Sequence, residues 1–309
     1  MKKLISGTTA YSVFSNDLKG GTLSHAYMLD FADPENLRGV LQLFALEFFG
    51  MDGSGADGKR LLNGSFPDCR IYPDEGKKIA ADGIAEILDE SAMKPVERDK
   101  KLFVIAGFEQ ASQLLQNKLL KTLEEPNAGV YFLLGVTSTA PVLDTVKSRV
   151  KKLTIPPFSE EQIFSALQRA GENPLNADAA KSCGGILGTA QNMVRGGWFK
   201  EVVAAAREIC SATELKDIGP LAIKHGETKY KTELLTQMSV IFHSALVNRL
   251  NGSEDEISRL WATPALIYAE ECLAKANADV KFNAFFQGLL YDFMLRLTEE
   301  NNKWLKLRQ

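Results

Sequence analysis

Residues 101–136 read KLFVIAGFEQASQLLQNKLLKTLEEPNAGVYFLLGV, and the fold is decided there. Lys101 to Ala106 and Val130 to Val136 are near-continuous apolar runs, the pattern of parallel strands covered on both faces. Between them a helix is predicted over Gln110 to Glu125, with Leu115, Leu119, Leu120 and Leu123 on one face. Pro126 stops it before the second strand. Working outward, Ser24 to Phe31 reads as a strand, Leu37 to Phe49 and Ala81 to Ser91 as helices, and Val150 to Ile155 as an alternating strand. Strand and helix alternate as they do in doubly wound α/β folds.

Pro156-Pro157 ends that pattern. Ser159 and Gln162 form a capping box that opens a helix, and Gly171 can close it. The remainder reads as helical. Three parts are expected: an α/β domain over 1–157, a small helical unit over 158–200 holding Cys183-Gly184-Gly185, and an all-α domain over 201–309. In the last, Phe199, Val202, Val203, Ala206 and Ile209 mark one apolar stripe at the boundary. Phe282, Phe285, Phe286, Leu289, Phe293 and Leu297 mark another, read as core or subunit interface.

Bulk composition narrows the function classes. With 309 residues, 45% hydrophobic and 24% charged, the chain has the make-up of a globular protein of two or three units. A net charge of -3 argues against a whole-surface nucleic-acid binder, because such affinity comes from neutralising phosphates. No apolar run reaches the roughly 18 residues of a membrane span, and Met1 to Ser6 is too short and polar for a secretory signal, so a cytoplasmic location is expected. Cys69, Cys183, Cys210 and Cys272 lie far apart without a C-x-x-C, and His25, His225 and His243 have no metal spacing. Neither a metal nor a cofactor is expected.

The order of the Leu102 to Ala106 strand, the Asn117-Lys118-Leu119-Leu120-Lys121-Thr122-Leu123-Glu124-Glu125-Pro126 segment, the Tyr131 to Val136 strand and Ser148-Arg149 closely resembles the ATPase-type domain of bacterial AAA+ clamp-loader subunits. Leu23-Ser24-His25-Ala26-Tyr27-Met28-Leu29, Phe66-Pro67-Asp68, the Gly76 to Ile87 stretch and Asn277 to Leu290, which resembles the family's last collar helix, fit the same family. The resemblance implies a RecA-like AAA+ domain with a parallel sheet, then a helical lid and an all-α collar.

Against that pattern the nucleotide-handling parts are altered. A P-loop needs glycines for close backbone approach, a lysine for the β and γ phosphates and a Ser/Thr for magnesium. Asp30 to Arg38 stands in its place with no glycine or lysine and three acids, and Pro34 removes a donor. Gly53-Ser54-Gly55-Ala56-Asp57-Gly58-Lys59-Arg60 matches G-x-x-x-x-G-K, but it follows a helix, ends in Arg and is read as a loop with no room for a phosphate-binding helix. Ala106, Gly107 and Phe108 follow Ile105, leaving Glu109 too late to hold magnesium. Thr189 stands where ATP-binding relatives place a phosphate-sensing arginine, and only Cys69 lies near the family's four-cysteine zinc module. In the family this set of losses belongs to the delta-prime type, whereas gamma/tau subunits keep the parts.

Ser148-Arg149 matches the family's Ser-Arg-Cys signature, with Val150 in place of the cysteine. Taken alone, Arg149 with Lys147, Lys151 and Lys152 is a solvated basic face. The resemblance implies an arginine finger acting in trans, with Ser148 supporting it. The expected protein is a non-hydrolysing subunit of the DNA polymerase III clamp loader. Its expected partners are gamma/tau and delta, and it would reach the sliding clamp and primed DNA through the complex. Two alternatives stay open: a divergent ATP-binding gamma/tau-type subunit using the Gly53 segment, and a free-standing DNA-binding AAA+ relative.

Overall fold

The computed structural model describes residues 1–282 and 285–306. The chain forms two compact units, Met1–Ala166 with Gly185–Thr189, and Leu167–Gly184 with Ala190–Gln309.

In the first unit α1 (Lys2–Ile5) and α2 (Thr9–Gly20) lead into β1 (Ala26–Phe31). There follow α3 (Pro34–Phe48), α4 (Ala56–Leu62), β2 (Cys69–Tyr72), α5 (Ala81–Ser91), β3 (Lys101–Ala106), α6 (Gln113–Glu124), β4 (Val130–Val136), α7 (Asp144–Lys147) and β5 (Lys151–Ile155). All pairings are parallel, in the order β2-β3-β4-β1-β5. This is the expected RecA-like α/β domain.

The apolar runs of β3 and β4 lie inside the sheet, and Phe103 stacks on its register partner Phe132 with ring centroids 5.5 Å apart. Leu115, Leu119 and Leu123 of α6 cover one face together with Ile84 and Ile87 of α5. On α3, Leu41 lies so close to β4 that a Cβ on Gly135 would meet its side chain at 2.5 Å, so glycine allows the close approach. Buried Asp68 accepts the backbone N–H groups of Val96, Glu97 and Arg98 at 2.6–2.8 Å, which fixes the loop entering β3.

Several local expectations need correction. Strand β2 is an addition to the expected elements: four residues alternating between buried and half-buried at a sheet edge give a weak pattern. The predicted Gln110–Glu125 helix breaks at Ala111, where a 3₁₀ turn (Phe108–Gln110) ends and Ser112 caps α6. The Gly53 to Arg60 segment is not all loop, since α4 begins after Gly55.

In the second unit are α9 (Asn176–Ser182), α11 (Gly197–Ser211), α12 (Leu215–Gly226), α13 (Lys231–Leu250), α14 (Glu256–Leu260), α15 (Thr263–Val280) and α16 (Phe286–Lys306); α8 (Glu160–Ala170) and α10 (Leu187–Arg195) span the division. The Ser159–Gln162 box is reciprocal: Ser159 N–H donates to Gln162 at 2.9 Å, and Gln162 N–H to Ser159 Oγ at 3.3 Å. The Phe199 stripe is buried throughout. A single helix over Asn277 to Leu290 is not formed, because α15 ends at Val280 and α16 starts at Phe286; Asn283 and Ala284 of that segment lie outside the described residues. Phe282 and Phe285 are therefore exposed, while Phe286, Phe293 and Leu297 are core. Trp261 donates its indole N–H to Cys210 carbonyl at 2.7 Å, and Asn301 accepts Ala262 N–H at 2.8 Å, so buried polar groups join these helices. Among the described residues no helix is long and apolar enough to cross a membrane.

Candidate functional site

In open α/β sheets ligands bind outside the carboxyl ends of the strands. Here β1 ends at Phe31 and α3 starts at Pro34, so only Ala32 and Asp33 separate strand from helix. The cap and first turn of α3 occupy that position. Asp33 is the N-cap and Pro34 occupies the first helical position, where a missing N–H costs nothing.

Asp33 does more than cap. Its buried carboxylate accepts Asn36 N–H at 3.2 Å through Oδ1 and the Asn36 amide at 2.8 Å through Oδ2. Oδ2 also accepts the backbone N–H of Gly188 at 2.8 Å. A helix N-terminus attracts anions through its free N–H groups and its dipole, and here the anion is supplied by the chain itself. Thr189, which stands at the position expected for a phosphate-sensing arginine in ATP-binding relatives, is exposed next to Gly188. Leu37 is buried, and Arg38 donates Nη1 to Pro73 carbonyl at 2.6 Å.

Glu109 follows the left-handed Gly107 (φ 71) and accepts Thr137 Oγ1 at 2.6 Å. These residues, with Pro34, Leu37 and Arg38, line a cavity of about 210 Å³. That is smaller than the roughly 300–1,000 Å³ of ordinary ligand pockets. The Gly53 segment differs in its setting from a strand-to-helix phosphate loop. It leaves α3 rather than a strand, Asp52 accepts Ser54 N–H and Oγ at 3.2 and 2.7 Å, and a Cβ on Gly58 would collide with the Asp52 carbonyl. Lys59 is exposed on α4.

Arg149 lies at the opposite end of the sheet. Ser148 ends α7, and Arg149 precedes β5, whose first residue pairs with Tyr27 at the amino end of β1. Its Nε donates to Glu124 Oε1 at 2.7 Å, and its Nη2 donates to the same oxygen. Nη1 donates to Thr145 carbonyl at 2.6 Å and to Ser148 Oγ at 3.2 Å.

The flanking lysines are paired too: Lys147 with Asp144 at 3.2 Å, Lys151 with Asp17 at 2.6 Å and Lys152 with Asp30 at 3.1 Å. Each of the three flanking lysines is thus neutralised by its own carboxylate. Lys151, and after it the Tyr27 hydroxyl, holds the Asp17 carboxyl below the usual range.

Cys69, Cys183 and Cys210 are buried, with burial pushing the Cys69 thiol up to about 12. Among the described residues no three His, Cys, Asp or Glu side chains converge on a common point. His25 meets Leu123 carbonyl at 2.6 Å, His225 pairs with Glu208 at 2.9 Å and His243 with Glu270 at 2.8 Å.

A five-stranded parallel sheet flanked by helices, with Asp33 capping the helix that follows β1, defines a RecA-like AAA+ domain. Residues 7–159 match the profile described as DNA polymerase III, delta subunit, and the chain is a clamp-loader subunit relative of the delta-prime type over that segment. The delta-prime subunit of Bacillus subtilis is 28% identical over 165 residues, covering 52% of this chain and 50% of that protein. The Haemophilus influenzae delta-prime subunit is 34% identical over 105 residues, covering 34% and 32%. The tau/gamma subunit of the same organism is 30% identical over 163 residues, covering 50% and 24%. The chain thus spans about half the length of the first of these relatives and less of the others. Among solved structures, a gamma-subunit-related protein of Thermotoga maritima superposes with a TM-score of 0.42 at 16% identity, covering 94% of this chain and 99% of that one.

Proposed function

We propose that this chain is a non-hydrolysing member of the replicative clamp loader in the cytoplasm, assembling with gamma/tau and delta subunits and acting on the sliding clamp and primed DNA through that complex. It binds no nucleotide of its own and supplies Arg149 to the ATP site of a neighbouring subunit, with Ser148 steadying the guanidinium. The three-part division at about residues 157 and 200 belongs to the same proposal, with the last part as the ring-forming collar.

One observation carries the reading. Arg149 sits at the amino end of edge strand β5, while the chain's own phosphate position lies beyond the carboxyl end of β1. The five residues from Tyr27 to Phe31 separate those ends by about 13 Å at the usual strand rise. An arginine so placed is remote from its own Asp33 and open to a neighbour beside the sheet edge. During phosphoryl transfer negative charge builds on oxygen, and a planar, permanently charged guanidinium stabilises it. The likeness to a tau/gamma subunit keeps a nucleotide-binding alternative in view, but the helical setting of Gly58 and Lys59 weighs against it.

Reconstitution tests the proposal. Loading of the clamp onto primed DNA by the host's gamma/tau and delta subunits should depend on adding this chain. Full loading without it, and no co-elution with those subunits, would count against the reading.

A further inference from the structure

A guanidinium presents two edges with paired parallel N–H groups, Nε/Nη2 and Nη1/Nη2, and a finger arginine engages a phosphoryl group best through one of them. In Arg149 the Nε/Nη2 edge is already taken, because both nitrogens donate to Oε1 of Glu124. Nη1 is engaged separately, by Thr145 carbonyl and Ser148 Oγ. The ion pair is partly open to water, with Arg149 31% and Glu124 47% exposed, so neither side chain is locked into the core.

Glu124 is fixed from behind. It is the last residue of α6, which Ser112 caps and which buries Leu115, Leu119 and Leu123. Helix stability does not call for an acid there, since the carboxyl end of a helix carries the negative pole and favours cations. The pairing with Arg149 offsets that unfavourable placement.

We infer that Glu124 restrains the finger: its carboxylate stands where a neighbour's phosphoryl oxygens would bind, and engagement exchanges one anion for another on the Nε/Nη2 edge. This rests on Arg149 being the finger. Thr145 carbonyl and Ser148 Oγ anchor the head through Nη1 during the exchange. A terminal phosphate carries more charge than one carboxylate and lies in a drier interface, where Coulombic attraction is stronger, so the exchange favours the assembled, ATP-filled ring. In the empty state Glu124 holds the arginine back. A half-exposed ion pair is a weak restraint, which limits the expected effect to a few-fold.

The test uses complexes reconstituted from the host's loader subunits with wild-type chain, Glu124→Gln, Arg149→Ala or both, assembly being checked by size exclusion. ATP hydrolysis is measured without clamp or DNA. Glu124→Gln should raise this basal rate about two- to five-fold. The double variant should match Arg149→Ala. An unchanged or lower rate in Glu124→Gln, with Arg149→Ala still slow, would overturn the restraint and leave the finger standing. No effect of Arg149→Ala would remove the finger and the restraint with it. In the isolated full chain, exchange of the Arg149 Nε–H with solvent should be slow in wild type and faster in Glu124→Gln. Equal exchange in the two would also overturn the restraint.

Discussion

Oδ2 of Asp33 accepts the backbone N–H of Gly188 at 2.8 Å across 155 positions of sequence. One carboxylate thereby satisfies N–H groups in the first turns of α3 and α10, the place and the chemistry that a nucleotide phosphate would otherwise offer. The Asp33 carboxylate thereby ties Gly185–Thr189 to the end of β1.

Asp33→Ala should destabilise the chain by about 1–3 kcal/mol, since it removes a helix cap and leaves the buried Gly188 N–H without that acceptor. Gly188→Ala should cost a similar amount, because a Cβ there would collide with Asp33 Oδ1 and approach Glu35 Cβ to 2.7 Å. Urea denaturation of the two single variants and the double variant checks this. The losses should not add, as both act on one contact. Strict additivity would mean that the contact contributes nothing.

The isolated chain should give no heat of binding with Mg-ATP in calorimetry, because its phosphate position holds Asp33 and the cavity beside it is about 210 Å³. A micromolar Kd lost on Lys59→Ala would instead assign nucleotide to the Gly53 segment.

Much of the sheet was legible, and much of the site was not. Apolar runs as long as β3 and β4 report burial on two faces directly. Strand β2 is four residues at an edge, and its signal is too short to separate from loop. The start of α3 was written in Asp33-Pro34, a cap followed by proline at the first helical position. Arg149 could be singled out by its neighbours in sequence. Its partner Glu124 lies 25 residues away, and Gly188 lies 155 from Asp33, contacts that no local periodicity encodes.

The Asp17–Lys151 pair, 2.6 Å apart, ties α2 to β5 and depresses the Asp17 carboxyl in the folded state. A depressed acid stabilises the fold above its unfolded value of about 4, and that contribution is lost as pH falls through the lower folded value. Asp17→Asn should therefore cost about 0.5–1 kcal/mol at pH 7, because water screens the partly exposed Lys151 end of the pair. The gap to wild type should narrow steadily below about pH 4. Urea melts across that range decide it, and a gap independent of pH would show that packing, not charge, is responsible.

The central claim is that Arg149 serves a neighbour's ATP site, and steady-state hydrolysis by reconstituted complexes tests it most directly. Arg149→Ala should leave the ring assembled, because a partly exposed arginine contributes little to folding. It should slow clamp- and DNA-stimulated ATP turnover by the gamma/tau partners, with about 10³- to 10⁵-fold loss at the one site served. Arg149→Lys should recover little, as a point charge lacks the planar fork. Turnover and clamp loading at the wild-type rate in an intact Arg149→Ala complex would contradict the account and return Arg149 to a plain surface ion pair with Glu124.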